Sequence, residues 1–415
     1  MSPTEPQDDR QKVAFKLPAS SATALRIRAA ELQIDIQDAV EQAVAEWRTL
    51  DAGQLPKVNT IGAPPFATWL PESLYDEFKE DCKQRGIPFV RGLNQAIEAW
   101  LDNHPSPRAP RSAHPRRLVL CNQKGGVGKT AVTAGLAEGF TEDKASALAA
   151  VAQYLAEMKS RVTSPALGAL PLGDYAPQEL RVLMVDYDPQ GHLTKSFGLN
   201  HLPMGANSLA KHMAKTATGD IRDLIVTMED SRFGGRLDLL PACLDAFLLD
   251  VHISTARNRQ ATLERALEPL EAHYDVILID CPPSLGMAMD AAIYYARRRP
   301  DEARGKSGVV IVVQAEDTSA DAYALLISQI NDGMADWNIE VEYVGLVVNL
   351  YDARDGHIVT SSLQAWRSLG DPRVVGVIPR LKEQREAVRA KRPLLAYDPV
   401  CEQAQVMRSI VKEIS

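Results

Sequence analysis

The sequence predicts an α/β protein with a doubly wound, mostly parallel sheet over residues 117–415, preceded by a small α+β domain over residues 12–102. Three observations predict it. Short β-branched runs alternate with helical stretches through the last three quarters of the chain. A loop rich in glycine and lysine joins the first of those runs to a helix. The first hundred residues repeat a strand, helix, helix pattern.

At the front, residues 1–11 are polar and acidic and read as a disordered tail. The repeat follows. Shifted by 53 positions, Val13–Trp47 lies over Phe66–Trp100 without a gap, matching Ala14 with Ala67, Leu17 with Leu70, Pro18 with Pro71 and Trp47 with Trp100. Each copy predicts a short strand, a proline that ends it, and two helices, with Ser20 and Ser73 placed to cap the first helix of each copy. Leu25, Ala29 and Leu32 form one apolar stripe, and Val40, Ala43, Val44 and Trp47 form another. In the first strand Lys12, Ala14 and Lys16 alternate with apolar residues and face outward. Their counterparts in the second are Pro65, Ala67 and Trp69.

A Pro/Arg-rich linker is expected over 103–116. After it, Leu118–Cys121 reads as a buried strand, followed by Lys124-Gly125-Gly126-Val127-Gly128-Lys129-Thr130 and a helical run. Strand, glycine-rich loop and helix in that order make a phosphate site. Backbone N–H groups turn toward one anion, and the helix N-terminus adds its dipole. Lys129 would reach β- and γ-phosphates, and the Thr130 hydroxyl would serve Mg²⁺. Residues 141–180 exceed what a helix-to-strand connection needs and read as an insertion, helical from Asp143 to Ser160. Six more strands are expected at Val182–Val185, Leu237–Leu240, Val276–Ile279, Val309–Val313, Val344–Val348 and Val374–Ile378. Ligands then sit beyond the carboxyl ends of the strands. The segments VDYDPQ, with Asp186 and Asp188, and IDCPPS, with Asp280, fall there.

Composition narrows the function. No run of 18 apolar residues exists, so no transmembrane helix is expected, and the polar N-terminus has no signal-peptide core. The five cysteines lack CxxC spacing, which argues against a zinc site or disulfide framework and fits a reducing cytoplasm. Net charge is −8, so any DNA contact must come from local basic patches. Two stretches qualify: His104 through Arg117, and Arg380 through Arg392.

The motifs KGGVGKT, DYDPQG, DCPPSLG and VIPR, in this order, resemble the ParA/MinD family of ATPases with a deviant phosphate loop. Gln123 stands where the general loop pattern has glycine, and Lys124 stands at the loop entrance. The resemblance covers roughly residues 115–415. It implies a P-loop NTPase fold, ATP and Mg²⁺ as cofactors, and a Lys124 that crosses a dimer interface to the partner's nucleotide. It also implies that Asp188 organises attacking water and Mg²⁺, Asp186 assists, and Asp280 steadies the Mg²⁺ shell. Asn349, Pro379 and Arg380 would lie at the adenine. Arg380, Lys382, Arg385, Arg389, Lys391 and Arg392 would bind duplex DNA without sequence preference. The N-terminal repeats resemble ribbon-helix-helix DNA-binding proteins, with Lys12 and Lys16 as the groove-facing side chains.

The expected function is therefore a ParA-type partitioning ATPase, cytoplasmic and associated with the nucleoid. ATP brings two chains face to face, the homodimer binds DNA, and a ParB-like centromere-binding partner triggers hydrolysis. The repeats either bind operator DNA or hold a partner. The alternatives are a MinD-like positioning ATPase and an ATP-switched transcriptional regulator. The mixed charge of the last residues, CEQAQVMRSIVKEIS, speaks against a membrane-binding helix.

Overall fold

The computed structural model describes residues 10–32, 34–50, 55–56, 58, 63–104, 114–160, 172, 175–300, 302–316 and 318–415. The chain divides into two compact units, 1–110 and 111–415.

The first unit runs β1 (Arg10–Lys16), α1 (Ala19–Glu31), α2 (Ile36–Thr49), β2 (Pro65–Pro71), α3 (Glu72–Gln84) and α4 (Phe89–Asn103). The two strands pair antiparallel within one chain, and Ala14 faces its repeat mate Ala67. A pseudo-two-fold axis therefore passes between these alanines. Strand alternation then sorts the side chains. Val13, Phe15, Leu17, Phe66 and Leu70 are buried, whereas Lys12, Ala14, Lys16, Pro65, Ala67 and Trp69 form the open face. The buried set packs on Leu25, Val40, Val44, Phe78, Leu93 and Ile97, with Trp47 and Trp100 fully enclosed. Phe15 meets Phe66 edge-on with ring centroids 5.5 Å apart.

Two expectations need correction here. Strand β1 begins at Arg10, inside the stretch expected to be a disordered tail, because the Arg10 guanidinium is anchored on Gln37, Asp38 and Glu41 of α2. The first helix of each copy is capped at Pro18 or Pro71, without a side-chain bond. Ser20 and Ser73 lie inside the first turn, since proline's fixed φ already starts the helix. The rest of the expected tail, 1–9, lies outside the described residues, as do 105–113 of the expected linker and 161–171 and 173–174 of the expected insertion.

The second unit runs β3 (Arg116–Cys121), α5 (Lys129–Thr141), α6 (Lys144–Ser160), β4 (Val182–Asp186), α7 (His192–Ser196), α8 (Leu209–Met213), β5 (Val226–Thr227), β6 (Leu237–Leu240), α9 (Leu249–Ile253), α10 (Thr262–Glu271), β7 (Val276–Asp280) and α11 (Met287–Ala296). It continues through β8 (Gly308–Gln314), α12 (Thr318–Trp337), β9 (Tyr343–Tyr351), α13 (His357–Ser368), β10 (Val374–Pro379), α14 (Glu383–Ala390), α15 (Leu394–Tyr397) and α16 (Glu402–Ile414). All seven expected strands form one sheet in the order β10-β9-β8-β3-β7-β4-β6, parallel throughout, and the two-residue β5 adds antiparallel at the edge.

Parallel strands bury both faces, and the residues show it. In β3, Leu118 and Leu120 enter one hydrophobic layer with α5 and α16, while Val119 and Cys121 enter the other with α10 and α11. Small residues let α5 and α16 approach closely. A Cβ at Gly135 would stand 2.6 Å from Met407, and one at Gly139 would stand 3.0 Å from Val411. A fully enclosed ion pair, Arg408 with Glu142 at 2.7 Å, ties the same two elements together. Arg116 and Arg117, expected in a basic DNA-facing stretch, belong to β3 instead. Arg117 is completely buried and paired with Glu302, so it is no surface cation, and the half-buried Arg116 is engaged by the carbonyls of Gly305, Lys306 and Ile414.

Candidate nucleotide-binding site

Strand β3 sits where the sheet's winding reverses, flanked by β7 on one side and β8 on the other. A crevice opens beyond the carboxyl end of such a strand, and residues 122–130 fill its floor. Buried Asn122 fixes the loop at its base. Its Nδ2 donates to Val312 O at 2.6 Å, and its Oδ1 accepts from Lys124 N at 3.0 Å. The turn then requires positive φ at Gly126 (79°) and Gly128 (87°), a region that disfavours residues with a Cβ. Gly128 carries a second constraint, because a Cβ there would lie 2.1 Å from Asn349 Nδ2. Gly125 and Gly126 differ: nothing lies within 4 Å of a Cβ built on either. The loop is tight below and open above, where its N–H groups can meet an anion.

Lys129 begins α5 and is 7 % exposed, with burial lowering its pKa while Asp280, Cys281 and Asp188 oppose that shift. Its Nζ donates to Lys124 O at 3.4 Å. Lys124 is partly exposed and ion-paired with Glu316 at 2.8 Å.

The carboxylates come from neighbouring strands. Asp186 ends β4 and Asp280 ends β7, directly opposite in register. Asp186 Oδ2 accepts from Thr194 N at 2.7 Å and from Thr194 Oγ1 at 2.6 Å, leaving Oδ1 buried without a partner among the described residues. Asp280 Oδ1 accepts from Thr133 Oγ1 at 3.3 Å, and Oδ2 is likewise unpartnered. Burial pushes the Asp186 carboxyl up to about 6. Burial and then the Asp186 charge push Asp280 up to about 8, against the charge of Lys129. Asp188 is 8 % exposed, and its Oδ1 accepts from Gln190 N at 2.9 Å.

These residues fit a nucleoside triphosphate with Mg²⁺. The loop and Lys129 offer donors and positive charge to phosphates. Thr130 and two buried carboxylates with idle oxygens offer hard ligands. No group of three or more His, Cys, Asp or Glu forms a closed metal cage among the described residues. That suits an ion held jointly by protein, phosphate and water.

Asn349, expected at the adenine, is buried with its Nδ2 donating to Val127 O at 2.8 Å, so it braces the phosphate loop. Pro379 ends β10, where its carbonyl accepts from Gln403 Nε2 at 2.9 Å. Arg380 turns to Asp355 at 3.0 Å. The six basic residues expected at DNA are all exposed, on and around α14. Lys382 pairs with Glu386 at 3.5 Å, and Arg392 lies 3.8 Å from Asp230. Four site residues escaped sequence reasoning: Asn122, Thr133, Thr194 and Glu316. Only Thr194 gave a usable signal, being a hydroxyl eight residues after Asp186 at the end of the VDYDPQGHLT segment.

The terminal helix α16 bears on the membrane alternative. Its Val406, Met407, Ile410, Val411 and Ile414 are buried in the layer shared with α5, so its apolar face is already occupied. No described helix is long and apolar enough to cross a membrane.

Comparison with known proteins agrees with this site. A family model described as an AAA domain matches residues 173–342. The sporulation initiation inhibitor protein Soj of Bacillus subtilis is 26% identical over 300 residues, covering 72% of this chain and 97% of its own. The chromosome partitioning protein ParA of Caulobacter vibrioides is 26% identical over 306 residues, covering 73% of this chain and 95% of its own. Among solved structures, apo McdA of Cyanothece superposes with a TM-score of 0.52 at 16% identity, over 72% of this chain and 99% of that one, a likeness of fold. The phosphate loop, the two strand-end carboxylates and the sheet order are those of a P-loop NTPase fold, and the chain is similar in sequence to these Soj and ParA proteins.

Proposed function

We propose that the protein is a ParA-type partitioning ATPase: an Mg²⁺-dependent, ATP-gated homodimer that binds bulk DNA and hydrolyses ATP when a ParB-like partner engages it. The observation that carries this reading is a second lysine, Lys124, at the entrance of a complete phosphate loop, 24% exposed and paired with Glu316 beside the open glycines. In the ParA/MinD family that this chain resembles, a lysine at this position reaches a neighbouring chain's nucleotide.

Bound Mg²⁺ would draw charge from the phosphates and fix their geometry. The chain's residues supply the rest. The loop N–H groups and Lys129 hold the phosphate oxygens, and Thr130, Asp186 and Asp280 set the ion's position. Asp188, anchored by its turn, orients the attacking water. Positioning and charge neutralisation do most of the work in such a reaction. The exposed basic residues around α14 bind the phosphate backbone of a duplex, and Lys12 and Lys16 read an operator.

A second reading, an ATP-switched transcriptional regulator, is favoured by the N-terminal ribbon being complete within one chain. Light scattering with ATP, with ADP and without nucleotide tests the dimer. Wild type should dimerise only with ATP, Lys129→Ala in no state, and Lys124→Ala should bind ATP yet stay monomeric. A Lys124→Ala protein that dimerises normally would remove the proposed role of that lysine.

A further inference from the structure

The open face of the N-terminal ribbon is not symmetric, although its backbone is. The pseudo-two-fold axis between Ala14 and Ala67 exchanges Lys12 with Pro65 and Lys16 with Trp69. Both ammonium groups therefore lie on β1. On β2, Pro65 has no N–H and Trp69 presents a half-exposed indole. Across the strands, Lys12 faces Trp69 at one end and Lys16 faces Pro65 at the other. Neither lysine makes an ion pair among the described residues, while the neighbouring acids Asp38 and Glu41 are engaged by Arg10.

A two-stranded ribbon fits the major groove, where a lysine reads guanine O6 and N7 and an apolar group meets the thymine methyl. A ribbon built from two identical chains presents equal side chains to each half-site and so reads a palindrome. This ribbon cannot. We infer that a single chain reads a non-palindromic operator carrying two guanines on one DNA strand, contacted by Lys12 and Lys16. Four residues at about 3.3 Å each separate the two lysines by about 13 Å, or about four base pairs. The base pair opposite Lys12 is biased to thymine by Trp69, and the one opposite Lys16 has no such bias. This inference rests on the proposal that the N-terminal unit binds operator DNA.

The test selects bound duplexes from a random 20-base-pair library, using the full chain without nucleotide and with unlabelled competitor DNA. The expected motif has no two-fold symmetry and holds two guanines about four positions apart on one strand. Repeating the selection with Lys12→Ala should erase one guanine preference and leave the other, and Lys16→Ala should do the reverse. Each should weaken binding to the wild-type motif about tenfold or more. Unchanged circular dichroism melting of both variants secures the comparison, as both side chains are exposed. A palindromic motif, or one indifferent to both substitutions, would overturn the inference while leaving operator binding intact. No enriched motif at all would remove operator binding itself and the inference with it.

Discussion

Asp186 and Asp280 end adjacent parallel strands directly opposite one another, and each keeps one carboxylate oxygen buried with no partner among the described residues. Two like charges in a dry crevice are costly, and burial holds both carboxyls above their ordinary value. The pair is arranged for a cation.

A pH dependence follows. With Asp280 pushed up to about 8, much of it is protonated at pH 7, and Mg²⁺ requires the charged form. Binding of magnesium and ATP should therefore release protons at pH 7 and few at pH 9. Calorimetry in buffers of different ionisation enthalpy reads the number. For the nucleotide-free fold the sign is also set: both pKa values are raised from 3.8. The associated stability is thus full below about pH 4 and lost as pH rises through about 6 for Asp186 and about 8 for Asp280. Melting temperature of the free protein should fall over that range. Proton uptake on binding would contradict the assignment.

Lys129→Ala should abolish ATP binding, measured by equilibrium dialysis, without unfolding the chain. The native ammonium is buried at a cost in desolvation, so its removal spares the fold. Asp188→Ala should instead retain ATP and accumulate an ATP-bound dimer with turnover down by about a hundredfold or more. Normal hydrolysis by the Asp188→Ala protein would mean that another group orients the water.

The Arg408 and Glu142 pair supports the site from behind, joining α16 to the end of the helix that starts at Lys129. Arg408→Ala would leave the buried Glu142 carboxylate with Arg232, 2.5 Å away, as its remaining cation. Arg408→Ala should cost about 3–5 kcal/mol in urea unfolding of the full chain. A loss under 1 kcal/mol would show that Arg232 alone compensates the Glu142 charge.

Arg385 and Arg389 lie one turn apart on the exposed face of α14. Replacing both with alanine should weaken bulk DNA binding at every sequence and reduce the slope of log affinity against log salt by roughly 2. An unchanged slope would move the DNA surface elsewhere.

The fold was largely legible because its signals are local. Seven short, mostly apolar runs announced seven strands, and a gapless repeat announced the ribbon's two halves. The phosphate loop was legible because its residue types are forced by backbone geometry at Gly126 and Gly128. The missed residues act through distant partners. Glu316 meets Lys124 and Asn122 meets Val312 only once β8 lies beside β3, and neither carries a motif. Arg116 and Arg117 misled for the opposite reason. They continue a basic run in the sequence, yet the sheet absorbs both, one against Glu302 and one against backbone carbonyls. The capping serines failed because proline outranked them at the helix start.

The central claim is a nucleotide-gated DNA carrier. Its most direct test is binding of the full chain to a random-sequence duplex at moderate salt with ATP, with ADP and with no nucleotide. The account predicts tight binding with ATP alone, lost in Lys129→Ala. Equal binding in all three states, or none in any, would contradict it.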